Sequence, residues 1–138
     1  MSKMKPPTKG ILFLAALMVP FVLGASAVHV GVRNGLGSGR NMTLHCRSKD
    51  TDLGSHVVSD GDEFGWNFNP NIWGTTLFYC LLDQGSVQGY AFDAYSYTRD
   101  YVRCESKCLW LVAGEGIYGM NDQTGLWEYV YPWPASST

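Results

Sequence analysis

Residues 64–80 read FGWNFNPNIWGTTLFYC, and this stretch narrows the choice of fold more than any other. Phe64, Trp66 and Phe68 recur at every second position, so a strand through them turns three large rings to one face. Pro70 has no amide hydrogen to give to a ladder and ends that strand, while Asn69, Asn71 and Gly74 supply turn chemistry. The run that follows, residues 75–82 (TTLFYCLL), is β-branched, aromatic and nearly continuous in its apolarity. That pattern predicts a strand covered on both faces. Three rings facing a cysteine-bearing strand make a nucleus for a small β-domain, and both strands are expected to be scaffold and not site.

Residues 1–27 carry the marks of a secretory signal. Lys3, Lys5 and Lys9 make a positive start, residues 11–24 an apolar run, and Ala25-Ser26-Ala27 a cleavage site of small residues. The apolar run contains Pro20 and is shorter than the roughly 20 residues that cross a bilayer. The mature protein is therefore expected to be one domain, residues 28–138. It keeps all 12 acidic residues but only seven of the 10 basic ones, for a net charge of −5 with histidine neutral. Such a surface repels phosphate backbones and lacks a polybasic cluster, so neither nucleic acid nor stable membrane insertion is expected.

All four cysteines, Cys46, Cys80, Cys104 and Cys108, fall in the mature part, and an even count in a small exported chain predicts two disulfides. Cys104 and Cys108 have no matching Cys/His pair at zinc-finger spacing, and His45 and Cys46 point to opposite faces of a strand. No metal and no cofactor are expected. Three pairings remain open; loop length favours Cys46–Cys108 with Cys80–Cys104, because the short loop between Cys104 and Cys108 has little closure entropy to remove.

Alternation marks further strands through Val28, Val30 and Val32, through Met42, Leu44 and Cys46, around residues 56–58, over residues 87–95, and from Cys108 through Trp110 and Val112. Residues 117–120 and 126–131 add two more. Residues 47–54 and 96–107 are polar and predict loops, and Asp60-Gly61-Asp62 and residues 83–86 predict turns. No apolar stripe at helical spacing is found after residue 27. Seven to nine short strands with frequent turn signals predict an all-β fold, an antiparallel sandwich of two sheets.

Most candidate chemistry fails on context. Residues 35–39 (GLGSG) lack the spacing and the following Gly-Lys-Ser/Thr of a phosphate loop, and no nucleophile elbow is present. His29, His45 and His56 fall on polar strand faces. Asp60, Asp62 and Glu63 do not continue into a calcium loop. Asn41-Met42-Thr43 is a glycosylation sequon, with Asn41 the acceptor.

Larger blocks carry more. Thr43-Leu44-His45-Cys46-Arg47-Ser48-Lys49-Asp50 followed by Asp52-Leu53-Gly54, then Asn69-Pro70-Asn71 with Gly74-Thr75-Thr76-Leu77-Phe78-Tyr79-Cys80, resemble the plant self-incompatibility S-protein family. The likeness continues through Phe92-Asp93, Tyr95, Arg99-Asp100, Cys104 and Cys108 with Trp110, and Gly116-Ile117-Tyr118-Gly119, covering nearly the whole mature chain. It implies a sandwich of two antiparallel sheets and extracellular action as a ligand. It also implies a recognition surface in the charged loop before the third cysteine, here residues 98–103.

The reading that unites these observations is a secreted, non-enzymatic signalling ligand, recognised by a cell-surface receptor or another extracellular protein. Its contact residues are expected on two loops: Arg99, Asp100, Tyr101 and Arg103 on one, Asp50 and Asp52 on the other. Replacing Arg99, Asp100 and Tyr101 together is expected to leave folding intact. The alternative, a secreted hydrolase or inhibitor with an acidic cleft, requires Asp60, Asp62, Glu63 and Asp93 to converge.

Overall fold

A computed structural model of the chain describes residues 27–135, so the expected signal sequence lies, except for Ala27, outside the described residues. Within them the elements follow as β1 (Val28–Asn34), β2 (Met42–Arg47), β3 (Asp52–Val58), β4 (Glu63–Phe68), β5 (Leu77–Gln84), β6 (Val87–Ser96), α1 (Tyr97–Arg103), β7 (Lys107–Val112), β8 (Gly116–Asn121) and β9 (Leu126–Pro132). They form two sheets, ordered β4-β1-β7-β8-β9 and β3-β2-β5-β6. The sandwich expected from the strand pattern is present, with one difference in direction. β1 and β7 pair in parallel, because the chain leaves β6 at the edge of the second sheet and crosses through α1 into the middle of the first.

Each sheet contributes one apolar face to the core. Val30, Val32, Trp110, Val112 and Ile117 come from the first sheet, and Met42, Leu44, Leu82, Phe92 and Ala94 from the second; all are buried. Two of the three rings of β4 meet β5 across the sheet interface: Trp66 lies 5.5 Å and Phe68 4.8 Å from Phe78, ring centre to centre, while Phe64 stacks on His56 of β3 at 4.2 Å. Offset, tilted contacts of this kind add to the area term that burial supplies. β5 itself is covered on one face only. Phe78, Cys80, Leu82 and Gln84 are buried, while Leu77, Tyr79, Leu81 and Asp83 face outward, with no third layer above them among the described residues.

The bridges are Cys46–Cys80 and Cys104–Cys108, not the favoured Cys46–Cys108 and Cys80–Cys104. Register is the reason. Cys46 and Cys80 stand directly opposite on the neighbouring strands β2 and β5, and both point into the core. Cys104 and Cys108 bracket the link from α1 into β7. Loop entropy measures what a bridge contributes once made, and strand register decides which sulfurs can meet. Two local expectations also change: β3 begins at Asp52, inside the stretch expected to be a turn, and residues 97–103 of the expected long loop form α1.

Candidate functional site

Strand register gathers three segments at one end of the sandwich. β2 stops at Arg47 opposite Tyr79, so residues 48–51 leave the sheet where residues 69–76 enter β5. β5 begins at Leu77 opposite Ser96, the residue before α1. The backbone N–H of Tyr97 donates to the Thr76 carbonyl at 3.2 Å, which fastens the middle segment to the helix.

The middle segment is built around Asn71. Its Oδ1 accepts from the N–H groups of Trp73 and Thr75, each at 3.1 Å, and its own N–H donates to Thr76 Oγ1 at 2.7 Å. Gly74 takes a φ of 70°, and a side chain there would crowd the Tyr97 ring. The turn is thus held from within, yet it turns Ile72 and Trp73 outward, 85% and 78% exposed. Large apolar residues held out on a braced tip cost solvation, and these two are exposed among the described residues. On α1, Tyr101 and Val102 are also exposed, and Tyr101 stacks on Tyr97 at 5.2 Å.

Behind this surface lies a network of charge. Asp100 is 0% exposed. Its Oδ1 accepts from Arg99 Nε at 2.7 Å and Arg103 Nε at 2.8 Å; its Oδ2 accepts from Arg99 Nη2 at 2.7 Å and from the Ser96 N–H at 2.9 Å. Arg99 continues to the Asp93 carbonyl and the Tyr131 hydroxyl, and Arg103 to the Met120 carbonyl. Both guanidinium groups lie over the Trp110 ring, 5.1 and 4.5 Å from its centre. A side chain on Gly119 would strike both Trp110 and Arg103, so glycine keeps that seat open. Burial alone would raise the Asp100 pKa, but hydrogen bonds from Arg99, Ser96 and Arg103 outweigh it and hold the carboxyl below the usual range. Burial likewise raises the Tyr131 hydroxyl. The network ties α1 to β6, β7, β8 and β9, and so to both sheets.

The six expected contact residues therefore divide. Tyr101, Asp50 and Asp52 are exposed; Arg99 is half-buried; Asp100 and Arg103 are buried. Asp100 and Arg103 offer little or no surface to a partner, and the expectation that Arg99, Asp100 and Tyr101 can be replaced without harm to folding runs against the buried network that Arg99 and Asp100 form with Arg103. Asp52 takes hydrogen bonds from the Gly54 N–H and from His45, 2.6 Å away, which lower its pKa. The tip was missed. Its signal was present in the sequence as Ile72 and Trp73 at the centre of a turn, where polar residues are the rule.

The carboxylates of the alternative reading fall on two different sheets: Asp60 and Asp62 lie in the β3–β4 turn and Glu63 at the start of β4, while Asp93 is on β6. Asp60 accepts from the N–H groups of Gly37 and Gly39, and Glu63 lies 3.8 Å from His29 of β1. No acidic cleft forms from them. Among the described residues no group of three His, Cys, Asp or Glu is placed to hold a metal ion, and no helix is long and apolar enough to cross a membrane. Asn41 is exposed just ahead of β2, at the end of the sandwich away from the tip.

Known proteins resemble the chain in sequence and in fold. The family described as Plant self-incompatibility protein S1 matches residues 29–133. Self-incompatibility protein S1 of Papaver rhoeas is 32% identical over 85% of this chain and 88% of its own length. S-protein homolog 24 of Arabidopsis thaliana is 37% identical over 65% of this chain and 59% of its own length. A solved structure of an SPH (self-incompatibility protein homologue) protein superposes with a TM-score of 0.63 at 21% identity, covering 82% of this chain and 99% of that one. With the family's pattern running from β1 to the residue after β9, the chain belongs to the plant self-incompatibility S1 family.

Proposed function

We propose that the protein is a secreted, non-enzymatic ligand, bound at the cell surface through the end of the sandwich that carries the Ile72–Trp73 tip. The observation that carries this reading is the tip itself: two large apolar side chains almost fully in water on a turn braced by Asn71. Tyr101 on α1 and Asp50 and Asp52 beside β2 supply flanking contacts, while Arg99, Asp100 and Arg103 hold the helix that presents Tyr101. The basic start and apolar run of residues 1–27 support export, and the SPH proteins of the solved structure are themselves described as small, highly stable and secreted. Asn41 is the proposed glycan acceptor, and a glycan there would leave the tip clear.

Labelled protein recovered from culture medium is the reagent for the test, with plasma-membrane fractions as the target. Trp73→Ala is expected to weaken saturable binding roughly 30-fold, the loss of a hot spot of about 2 kcal/mol. Its melting temperature should match that of the unaltered protein, because the side chain is exposed. Ser38→Ala, in the loop at the opposite end, should bind normally. Undiminished binding by a folded Trp73→Ala protein would remove the proposal.

A further inference from the structure

β9 is an edge strand, paired with β8 on one side and with no strand on the other among the described residues. It is the least protected of the four sheet edges. β3 and β4 close on each other through the stacked rings of His56 and Phe64. β3 also spends its Gly54 N–H on Asp52 and its Leu53 carbonyl on His56. β6 is interrupted by Gly89, at a φ of 63°, and its Asp93 and Ala94 carbonyls accept from Arg99, Tyr131 and Trp110. On β9 the two ends alone are engaged, the Leu126 N–H with Thr124 Oγ1 and the Pro132 carbonyl with the Tyr90 hydroxyl. From residue 127 to residue 131 no backbone group bonds outside the β8 ladder among the described residues.

The side chains are as uncovered as the backbone. Leu126, Trp127 and Tyr129 are 64%, 41% and 51% exposed, and residues 126–129 have no buried face. Edge strands are ordinarily blunted by lysine, proline or a bulge. Here the bulge falls at Val130 and Pro132 stands last, so residues 126–129 have none of these. Such an edge selects an extended backbone as its occupant. Charge favours a second copy. The mature chain keeps 12 acidic and seven basic residues, so two copies repel over most of their surface, yet β9 carries Glu128 as its single charge. Symmetry then sets the register, because a two-fold axis between antiparallel strands must place one residue opposite itself. At residue 128 it would set carboxylate against carboxylate. At Trp127 it pairs the two indoles, sets each Glu128 opposite Leu126 of the second copy, and uses the unblunted stretch. We propose that two copies pair β9 to β9, antiparallel about Trp127, and merge two five-stranded sheets into one. The three exposed side chains supply roughly 300 Å² per copy. The pair thus buries about 600 Å² plus the ladder, short of the roughly 1,200 Å² of stable complexes, and the dimer is a weak, reversible one. β9 starts at the tip end, beside α1. Antiparallel pairing therefore points the two Ile72–Trp73 tips in opposite directions, toward two surfaces and not one. The pairing itself does not rest on the proposed role of the tip.

Sedimentation equilibrium and amide NMR of the secreted protein, from about 10 µM to 1 mM, test this. A monomer–dimer equilibrium is expected, with a dissociation constant between roughly 10 and 300 µM. Concentration-dependent shifts should centre on the amides of residues 126–129 and reach Tyr118 and Met120, which stand opposite Tyr129 and Trp127 on β8. Trp127→Lys, at an exposed position, should keep the native spectrum and melting temperature and weaken association at least about tenfold, because it sets two like charges at the axis. Tyr129→Lys should act in the same direction, and Trp73→Ala should dimerise as the unaltered protein does. A protein that stays monomeric to about 1 mM overturns the proposal, even where an added peptide of alternating Val and Thr shifts the β9 amides. So does a dimer whose shifts map to the tip or to another edge, or a folded Trp127→Lys protein that associates as tightly as the original.

Discussion

Asp100→Asn is expected to lower the stability of the fold by about 3–5 kcal/mol, because it strips the one anion from between two guanidinium groups and leaves the buried Arg103 and the half-buried Arg99 uncompensated. In a domain of this size that is a fall of roughly 10–20 °C in melting temperature. Tyr101→Ala, one residue along the same helix but exposed, should cost less than about 1 kcal/mol. The pair of variants separates framework from surface within a single turn of α1. The effect also carries a pH signature. The Asp100 pKa is lowered in the folded protein, so its contribution is complete above the ordinary carboxylate value of about 4 and is lost as pH falls through the lowered one. The difference between Asp100→Asn and the unaltered protein should be constant from pH 7 to about 4 and shrink only below that. Urea unfolding at several pH values measures both. A difference that fades between pH 7 and 5 would contradict the ionised, paired state assigned to Asp100.

Removal of the Cys46–Cys80 bridge by a double change to alanine should cost about 4 kcal/mol, from a sequence separation of 34. Removal of Cys104–Cys108, at a separation of 4, should cost about 2 kcal/mol. All four cysteines are fully buried, so either loss also leaves unfilled volume, and loop length sets the order of the two. Denaturant midpoints for the two double variants should therefore fall in that order. Equal losses would mean that the unfolded chain is already held compact near β2 and β5 by something other than the bridge.

Period-two alternation located the strands because each sheet has one wet face and one dry one. Val28, Val30 and Val32, or Met42, Leu44 and Cys46, state their orientation in the letters alone. The same rule could not find α1. A helix is recognised from a stripe of apolar residues, and the stripe that α1 turns inward is Asp100 and Arg103, an ion pair at i and i+3. Its residues include Thr, Asp, Val and Tyr, none of them strong helix formers, and it runs only from Tyr97 to Arg103. What holds it is tertiary: the Trp110 ring on the next strand, and the Met120 carbonyl and Tyr131, 17 and 32 residues beyond the arginines they meet. For the same reason charged residues ahead of the third cysteine suggested a solvated contact loop, although Asp100 and Arg103 face inward. The parallel pairing of β1 with β7 was equally invisible, since it depends on where the crossover from β6 lands and not on any local pattern. The tip at Ile72 and Trp73 was legible as an anomaly, two large apolar residues in a turn, but its exposure is a fact of geometry.

The proposed function requires that the end bearing residues 72, 73 and 101 is the one a partner touches. A photo-reactive phenylalanine placed in turn at Trp73, at Tyr101 and at Ser38 in the opposite loop, followed by irradiation on intact cells, tests it most directly. The expected result is one cross-linked cell-surface protein from positions 73 and 101 and none from position 38. Cross-linking from position 38 alone would place the contact at the other end of the sandwich and contradict the claim.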